Sequence, residues 1–274
     1  MNNRYVIEQI LQKIEDELDT VTHEELIRFS GFSYFHFHRL FCAYTGESVK
    51  QYVKRIRLER AAHDLNYKQC NITEVAMNSG YATPSAFNKA FRECFGMNPK
   101  AYRHQTPKIK EYPAMQPVRI EKLEAFEVYC TRHIGDYNLI GEAWERLMAF
   151  AYHQKIKHKK KLLGKDAWAI GIGYDNPDVT ATDKLRSDAC ISADDEVECP
   201  EGVSKKKIAK GSYAVFLHKG SYDRLKETYR GVFGWVREND ISLRDEPVFE
   251  RYLNRDPRRT KPENLRTEIY LPIV

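Results

Sequence analysis

Over the first hundred positions the apolar residues recur at helical spacing. Val6, Ile7, Ile10, Leu11, Ile14 and Leu18 fall at three- and four-residue steps and predict the buried face of an amphipathic helix. Thr22, with Glu25 three residues on, forms a capping-box pair that opens a second helix ahead of Leu26, Ile27 and Phe29. Ser30-Gly31-Phe32 interrupts the pattern. Ser33 is the expected cap of a third helix with Phe37, Leu40, Phe41 and Tyr44 on its inner side, and Gly46 is its expected stop. A helix, a tight glycine turn and a second helix outline a helix-turn-helix.

The outline repeats. Ser79-Gly80-Tyr81 matches Ser30-Gly31-Phe32 at an offset of 49, and Phe87, Phe91 and Gly96 match Phe37, Phe41 and Gly46 at an offset of 50. Between the copies, Val49, Tyr52, Val53, Ile56, Ala61 and Leu65 mark one long helix that would hold the two units at a fixed separation. Such a spacer matters because successive major-groove faces recur about 34 Å apart, so two helices read one side of a duplex only when their distance is set. From Thr106 to Pro117 (TPKIKEYPAMQP) three prolines end the helical pattern and predict an extended connector.

Beyond the connector the pattern changes to strands. Val118 to Cys130 and Lys207 to His218 are β-rich runs, each followed by a glycine turn and an amphipathic helix. They align at an offset of 85, with Val128 on Tyr213, His133 on His218, Gly135 on Gly220, Tyr137 on Tyr222, Leu147 on Val232 and Phe150 on Trp235. A strand-turn-helix unit written twice is expected to pack about a pseudo-two-fold axis with its strands in one antiparallel sheet, leaving a groove that suits a ligand. The expected fold class is therefore multidomain: an all-α domain with two helix-turn-helix units (1–107), a linker (108–117) and a duplicated strand-helix α+β antiparallel-sheet domain (118–274).

Composition narrows the functional classes. A chain of 274 residues with 42% hydrophobic and 30% charged residues suits two globular domains rather than disorder. No stretch approaches the roughly 20 apolar residues of a membrane span, and acids are scattered through the first twenty positions, so a cytoplasmic protein without membrane contact is expected. The six cysteines show no C-x-x-C or zinc-finger spacing, which predicts reduced packing thiols and no bound metal. Charge is unevenly placed: Leu26 to Lys108 carries thirteen Lys/Arg against five Asp/Glu, the footprint of a surface that meets phosphates.

The run from Ile72 to Arg103, ITEVAMNSGYATPSAFNKAFRECFGMNPKAYR, closely resembles the signature of the AraC/XylS regulators, with its Gly-aromatic turn, F-x-x-x-F spacing, F-G and final P-x-x-Y-R. The resemblance covers about residues 5 to 106. It implies that the exposed face of each second helix reads bases: Tyr34, Phe35, His38 and Arg39 in the first copy, and Pro84, Ser85, Asn88 and Lys89 in the second. Arg39 or Lys89 can donate to guanine, Asn88 can pair with adenine and Phe35 can pack on a thymine methyl. Lys54, Arg55, Arg57 and Arg103 are assigned to phosphates, which position without specifying.

The second half resembles the GyrI-like, effector-binding domain of SHS2/SOUL type over residues 117 to 274. The resemblance rests on the H-x-G-x-Y repeat, on AIGIGYDNPDVTATDKLRSDACI and on the closing PVFERYLNRDPRRTKPENLRTEIYLPIV, which departs from the family pattern by inserting Arg255. It implies an aromatic pocket with a buried glutamate for lipophilic, often cationic compounds, since cation–π contacts and one counter-charge offset desolvation. Glu250 is the first choice for that acid and Glu268 the second; the candidate rings are Tyr137, Trp168, Tyr174, Tyr213, Tyr222 and Tyr252, with Trp144 and Trp235 assigned to packing. The basic run Lys155 to Lys161 is assigned to a solvated helix end.

Together the resemblances imply a one-component transcription regulator with duplex DNA, a small effector and RNA polymerase as partners, and with no cofactor. Two alternatives use the same second half: a hydrolase of small electrophilic compounds built on the pocket glutamate, or a module that sequesters a protein partner. No Ser/His/Asp, Cys/His or metal-ligand constellation supports catalysis.

Overall fold

Local caps set most of the helix boundaries. The computed structural model describes residues 3–68, 70–104, 113–154, 156, 168–192, 197–254 and 257–274. It divides into two compact units, Met1–Thr106 and Pro107–Val274.

In the first unit α1 (Asn3–Asp16) is followed by α2 (His23–Ser30). The capping box forms: the Glu25 amide donates to Thr22 Oγ1 (3.3 Å) and the Thr22 amide to the Glu25 carboxylate (2.9 Å). α3 (Tyr34–Thr45) starts after Ser33, but that hydroxyl makes no cap bond; its extended backbone alone turns the chain into the helix. Gly46 ends α3 with φ +72°, a left-handed conformation that a Cβ would disfavour. The long spacer is α4 (Val49–Tyr67), opened by a Ser48–Gln51 capping box, and α5 (Ile72–Asn78) comes next. α6 (Pro84–Phe95) has Thr83 as its cap, proline at its start and Gly96 at φ +73°; α7 (Pro99–His104) follows.

The duplicated phenylalanines make the two small cores. Phe37 and Phe41 are fully buried with their rings 6.0 Å apart, and Phe41 meets Tyr52 edge-on at 5.6 Å, while Phe87, Phe91 and Tyr102 repeat the arrangement at 5.4 and 5.3 Å. Each such ring contributes about 1.5–3 kcal/mol through burial. α4, about 28 Å long by its helical rise, packs on α3, α5, α6 and α7 and so joins the copies.

In the second unit each expected β-rich run breaks into two strands. β1 (Arg119–Leu123) and β2 (Phe126–Ile134) precede α8 (Gly141–His153), β3 (Ala169–Gly173) and β4 (Arg186–Ser192). β5 (Ser204–Ile208) and β6 (Gly211–Lys219) precede α9 (Leu225–Glu238), β7 (Phe249–Tyr252) and β8 (Arg266–Ile273). The described strands form one antiparallel sheet in the order β1-β6-β8-β7-β3-β4-β2-β5. That order is unchanged when the two repeats are exchanged, which puts the pseudo-two-fold between β7 and β3. β1 and β2 are joined by two residues yet lie in opposite halves of the sheet. So short a link spans at most about 10 Å, so the sheet curls until its halves meet.

Curling gives the sheet two different faces. The inner one is closed on its own side chains, among them Val128, Cys130, Ile170, Cys190, Phe249 and Tyr270. The outer one carries the helices, α8 on Tyr129, Ala189 and Ile191, and α9 on Ala214, Phe216 and Ile269. Between them β7 and β3 form the floor of a groove.

Candidate functional site

The first candidate site is the outer face of the reading helices. Phe35 is 76% and Tyr34 52% exposed, and with His38 and Arg39 they line an open hollow of about 530 Å³. The Tyr34 ring is braced by His23 (5.6 Å), by the edge of Phe35 (5.4 Å) and by a stacked His38 (6.4 Å). Half-buried His38 also approaches the Cys42 sulfur at 3.6 Å. Arg39, Pro84, Ser85, Asn88 and Lys89 are exposed. These eight residues point outward because Phe37, Phe41, Phe87 and Phe91 occupy the inner faces of the same helices.

Three of the four arginine and lysine residues assigned to phosphates are committed elsewhere. Arg55 donates to Glu47 (2.7 and 3.0 Å) and Glu59 (3.0 Å), and the three side chains are only 14%, 8% and 10% exposed. Arg57 donates twice to the Leu18 carbonyl (2.7 and 3.0 Å) and its guanidinium lies over Gly80. Arg103 donates to the Cys70 carbonyl at 2.6 Å. These assignments are corrected to structural clamps; the central helix α4 is packed on several sides, so two of its arginines face protein. Lys54 remains 47% exposed beside Glu93. Lys108 and the run at 155–161, apart from buried Ile156, lie outside the described residues.

The second candidate site is the groove of the sheet domain. Glu250 on β7 stands opposite Gly171 on β3 and Ile269 on β8, so it points to the outer face between α8 and α9. Its Oε1 accepts from the Tyr229 hydroxyl and its Oε2 from the Tyr252 hydroxyl, each at 2.9 Å. The Tyr252 ring lies edge-on between Trp144 of α8 (5.7 Å) and Tyr222 (5.5 Å). Glycine at 171 leaves room for the end of the Tyr252 side chain, which a Cβ there would meet. Tyr137 donates to the Asp175 carbonyl (2.8 Å). The 85-residue repeat relates Tyr137 to Tyr222 and Trp144 to Tyr229, so each repeat supplies one ring from its turn and one from its helix.

Electrostatics set Glu250 apart. Burial raises its pKa above the ordinary carboxyl value, and the two phenol donors offset only part of that. Among the described residues its hydrogen-bonding partners are phenols, and no cation pairs with it. Tyr222 is pushed up to about 12, by burial first and then by the Glu250 charge.

Four residues expected in the pocket lie on the inner face instead. Glu268 pairs in register with Arg251, and strand alternation sends it to the side opposite Glu250. Its carboxylate meets Arg119 (2.6 Å), Arg251 (3.3 Å) and the Tyr270 hydroxyl (3.1 Å); burial pushes its pKa up, but Arg119 outweighs this and holds it low. Trp168 packs on Phe126 and Tyr270 with Arg251 over its ring at 4.1 Å. Tyr213 donates to the Ala209 carbonyl, and Tyr174 donates to Asp188 beside Lys206. Conversely, Trp144, assigned to packing, and Tyr229, not singled out, belong to the groove. Their equivalence at the offset of 85 is the signal that could have found them. Trp235 does pack, against Phe216.

Comparison with known proteins agrees with both halves. Residues 116–274 match the model of the GyrI-like small molecule binding domain, and residues 26–105 match that of a helix-turn-helix domain. The HTH-type transcriptional regulator YbfP of Bacillus subtilis is 34% identical over 98 residues, which are 35% of this chain and only 33% of YbfP. The right origin-binding protein of Escherichia coli is 22% identical over 294 aligned positions, covering 100% of this chain and 99% of that protein. The EcmrR–DNA complex solved by cryo-EM shares the fold, with a TM-score of 0.51 at 14% identity over 97% of this chain and 94% of that one. The chain belongs to the GyrI-like small molecule binding domain family and carries an AraC-type helix-turn-helix region; it is a DNA-binding transcription regulator. No helix among the described residues is long and apolar enough to cross a membrane.

Proposed function

We propose that the groove binds a lipophilic aromatic cation and that its occupancy alters DNA binding by the helical unit, with residues 1–107 reading DNA and 118–274 sensing the effector. The observation that carries this reading is the Glu250 carboxylate, held among rings from both repeats without a cationic partner among the described residues. A ligand cation would supply the missing counter-charge, and the surrounding π faces would add to it. The test is footprinting of the full chain on a selected duplex with and without tetraphenylphosphonium. Protection that changes with the cation, and not with a neutral compound of similar size, is the expected result; unchanged protection together with absent binding of the cation rules the reading out.

On the DNA side, the proposed base readers are the eight outward-facing residues of α3 and α6, with Lys54 on a phosphate. Arg39→Ala and Lys89→Ala are each expected to relax discrimination at different base pairs by about 1–3 kcal/mol. Lys54→Ala should instead weaken all sequences alike and lower the slope of log affinity against log salt by about one. Measuring affinities on a panel of single-mismatch duplexes at several salt concentrations separates these outcomes. RNA polymerase is proposed as the protein partner on the resemblance to AraC/XylS regulators, and transcription reconstituted with purified polymerase tests it.

The hydrolase alternative shares the carboxylate, and recovery of tetraphenylphosphonium or an electrophilic ester after incubation distinguishes binding from turnover. We favour binding because both carboxylate oxygens are engaged by phenols. The repeated His133 and His218 rings are held by the Asp136 and Ser221 carbonyls.

A further inference from the structure

The two helices over the groove differ where the repeat relates them. α9 has Gly231 and Gly234 in its interior, and the offset of 85 puts Arg146 and Ala149 at the same places in α8. Glycine inside a helix is less favourable than alanine, so the pair in α9 calls for a packing reason. Both glycines are buried, and what meets them is the connector. A Cβ at 231 would lie 3.1 Å from the Met115 Cβ and 3.3 Å from the Pro113 carbonyl oxygen, and one at 234 would lie 3.4 Å from the Ala114 Cα.

The connector is also held there by its backbone. The Met115 amide donates to the Gly231 carbonyl at 2.9 Å, and the Val118 amide donates to the Val215 carbonyl at 2.8 Å as the chain enters β1. A helix carbonyl keeps a second lone pair for such a bond, and the missing side chains let the amide reach it. Ala114 and Met115 pack onto the apolar cluster of α9, β6 and β8.

α9 thus has the connector on one flank and the groove on the other. At about 100° per residue, Gly231 and Gly234 lie roughly 200° and 140° round the helix from Tyr229, whose hydroxyl donates to Glu250. A ligand that displaces Tyr229 therefore acts on a helix whose far side carries the chain leading to the helical unit. We propose that α9 couples the groove to DNA binding: the connector stays seated in the notch made by Gly231 and Gly234, and a shift of α9 on filling of the groove is passed on through Pro113, Ala114 and Met115. The proposal rests on the reading of the groove as an effector site. Gly231 and Gly234 are positioning residues in it, since they act through the connector.

The experiment measures, for the full chain, affinity for a selected duplex with and without tetraphenylphosphonium, and affinity for the cation by itself. In the parent the cation is expected to change DNA affinity by about fivefold or more. Gly231→Leu fills the notch with a good helix former; it should bind the cation as the parent does, while the cation no longer alters its DNA affinity. Ala114→Glu unseats the connector from the other side without touching α9 and should behave alike, so it decides the matter if Gly231→Leu loses the cation. Joining Ala114→Cys to Gly234→Cys, whose Cβ atoms would stand 3.8 Å apart, allows a disulfide that fixes the connector on α9, with peptide mapping to verify the bond. The response should survive that cross-link. A parent-sized response in Ala114→Glu, or its loss on cross-linking, overturns the proposal and leaves the groove as an effector site. No response in the parent overturns the effector reading itself, and the proposal with it.

Discussion

The Glu250→Gln variant is expected to bind cationic aromatic ligands at least tenfold more weakly, a change of about 1.4 kcal/mol, and neutral analogues of the same size almost as well as before. The amide keeps the shape of the side chain and can still meet the Tyr229 and Tyr252 hydroxyls, so the change removes charge with little change in packing. Calorimetric titration of matched cationic and neutral compounds measures the contrast. Equal losses for both classes would make Glu250 a structural residue, and no loss for either would remove the cation from the reading.

The same substitution should stabilise the unliganded protein at neutral pH. Burial raises the folded-state pKa of Glu250, so the folded protein holds the proton more tightly than the unfolded chain does. The stability contributed by that proton is present in full below the unfolded-state pKa of about 4.3 and is lost as pH rises through the elevated folded value. Glutamine never ionises and avoids the loss. The melting temperature of Glu250→Gln should exceed that of the parent at pH 7.5. The gain should vanish near pH 4. A cation in the groove favours the ionised carboxylate, so binding should release protons and strengthen as pH rises.

Arg55→Ala is expected to destabilise the helical unit by about 3 kcal/mol, whereas Lys54→Ala should cost no more than about 1 kcal/mol. Arg55 is the shared cation of Glu47 and Glu59, both little exposed, and alanine leaves two carboxylates facing its empty place without it. Lys54 makes an exposed pair with Glu93 that water screens. Denaturant titration of the full chain, followed by helical circular dichroism, measures both. If Arg55→Ala melted like the parent and instead lowered the salt slope of DNA binding by about one, the residue would be a phosphate contact after all.

Much of the architecture was legible before any coordinates because it is governed by local chemistry. Thr22 and Glu25, the left-handed glycines at 46 and 96, and the repeated phenylalanines act within one or two helical turns, and sequence spacing reports them directly. The 85-residue repeat likewise announced one antiparallel sheet. What stayed hidden depended on partners far away in the chain. Arg57 ends on a carbonyl 39 residues distant, and Arg119 meets Glu268 across 149 positions, so neither charge could be read as a clamp from its neighbours. Composition cannot say which face of a strand a ring occupies, because alternation fixes only that neighbours differ. The curled sheet and its register placed Trp168, Tyr174, Tyr213 and Glu268 on the inner face. The outer groove was left to Glu250, Tyr252 and the rings that α8 and α9, with their preceding turns, bring over it.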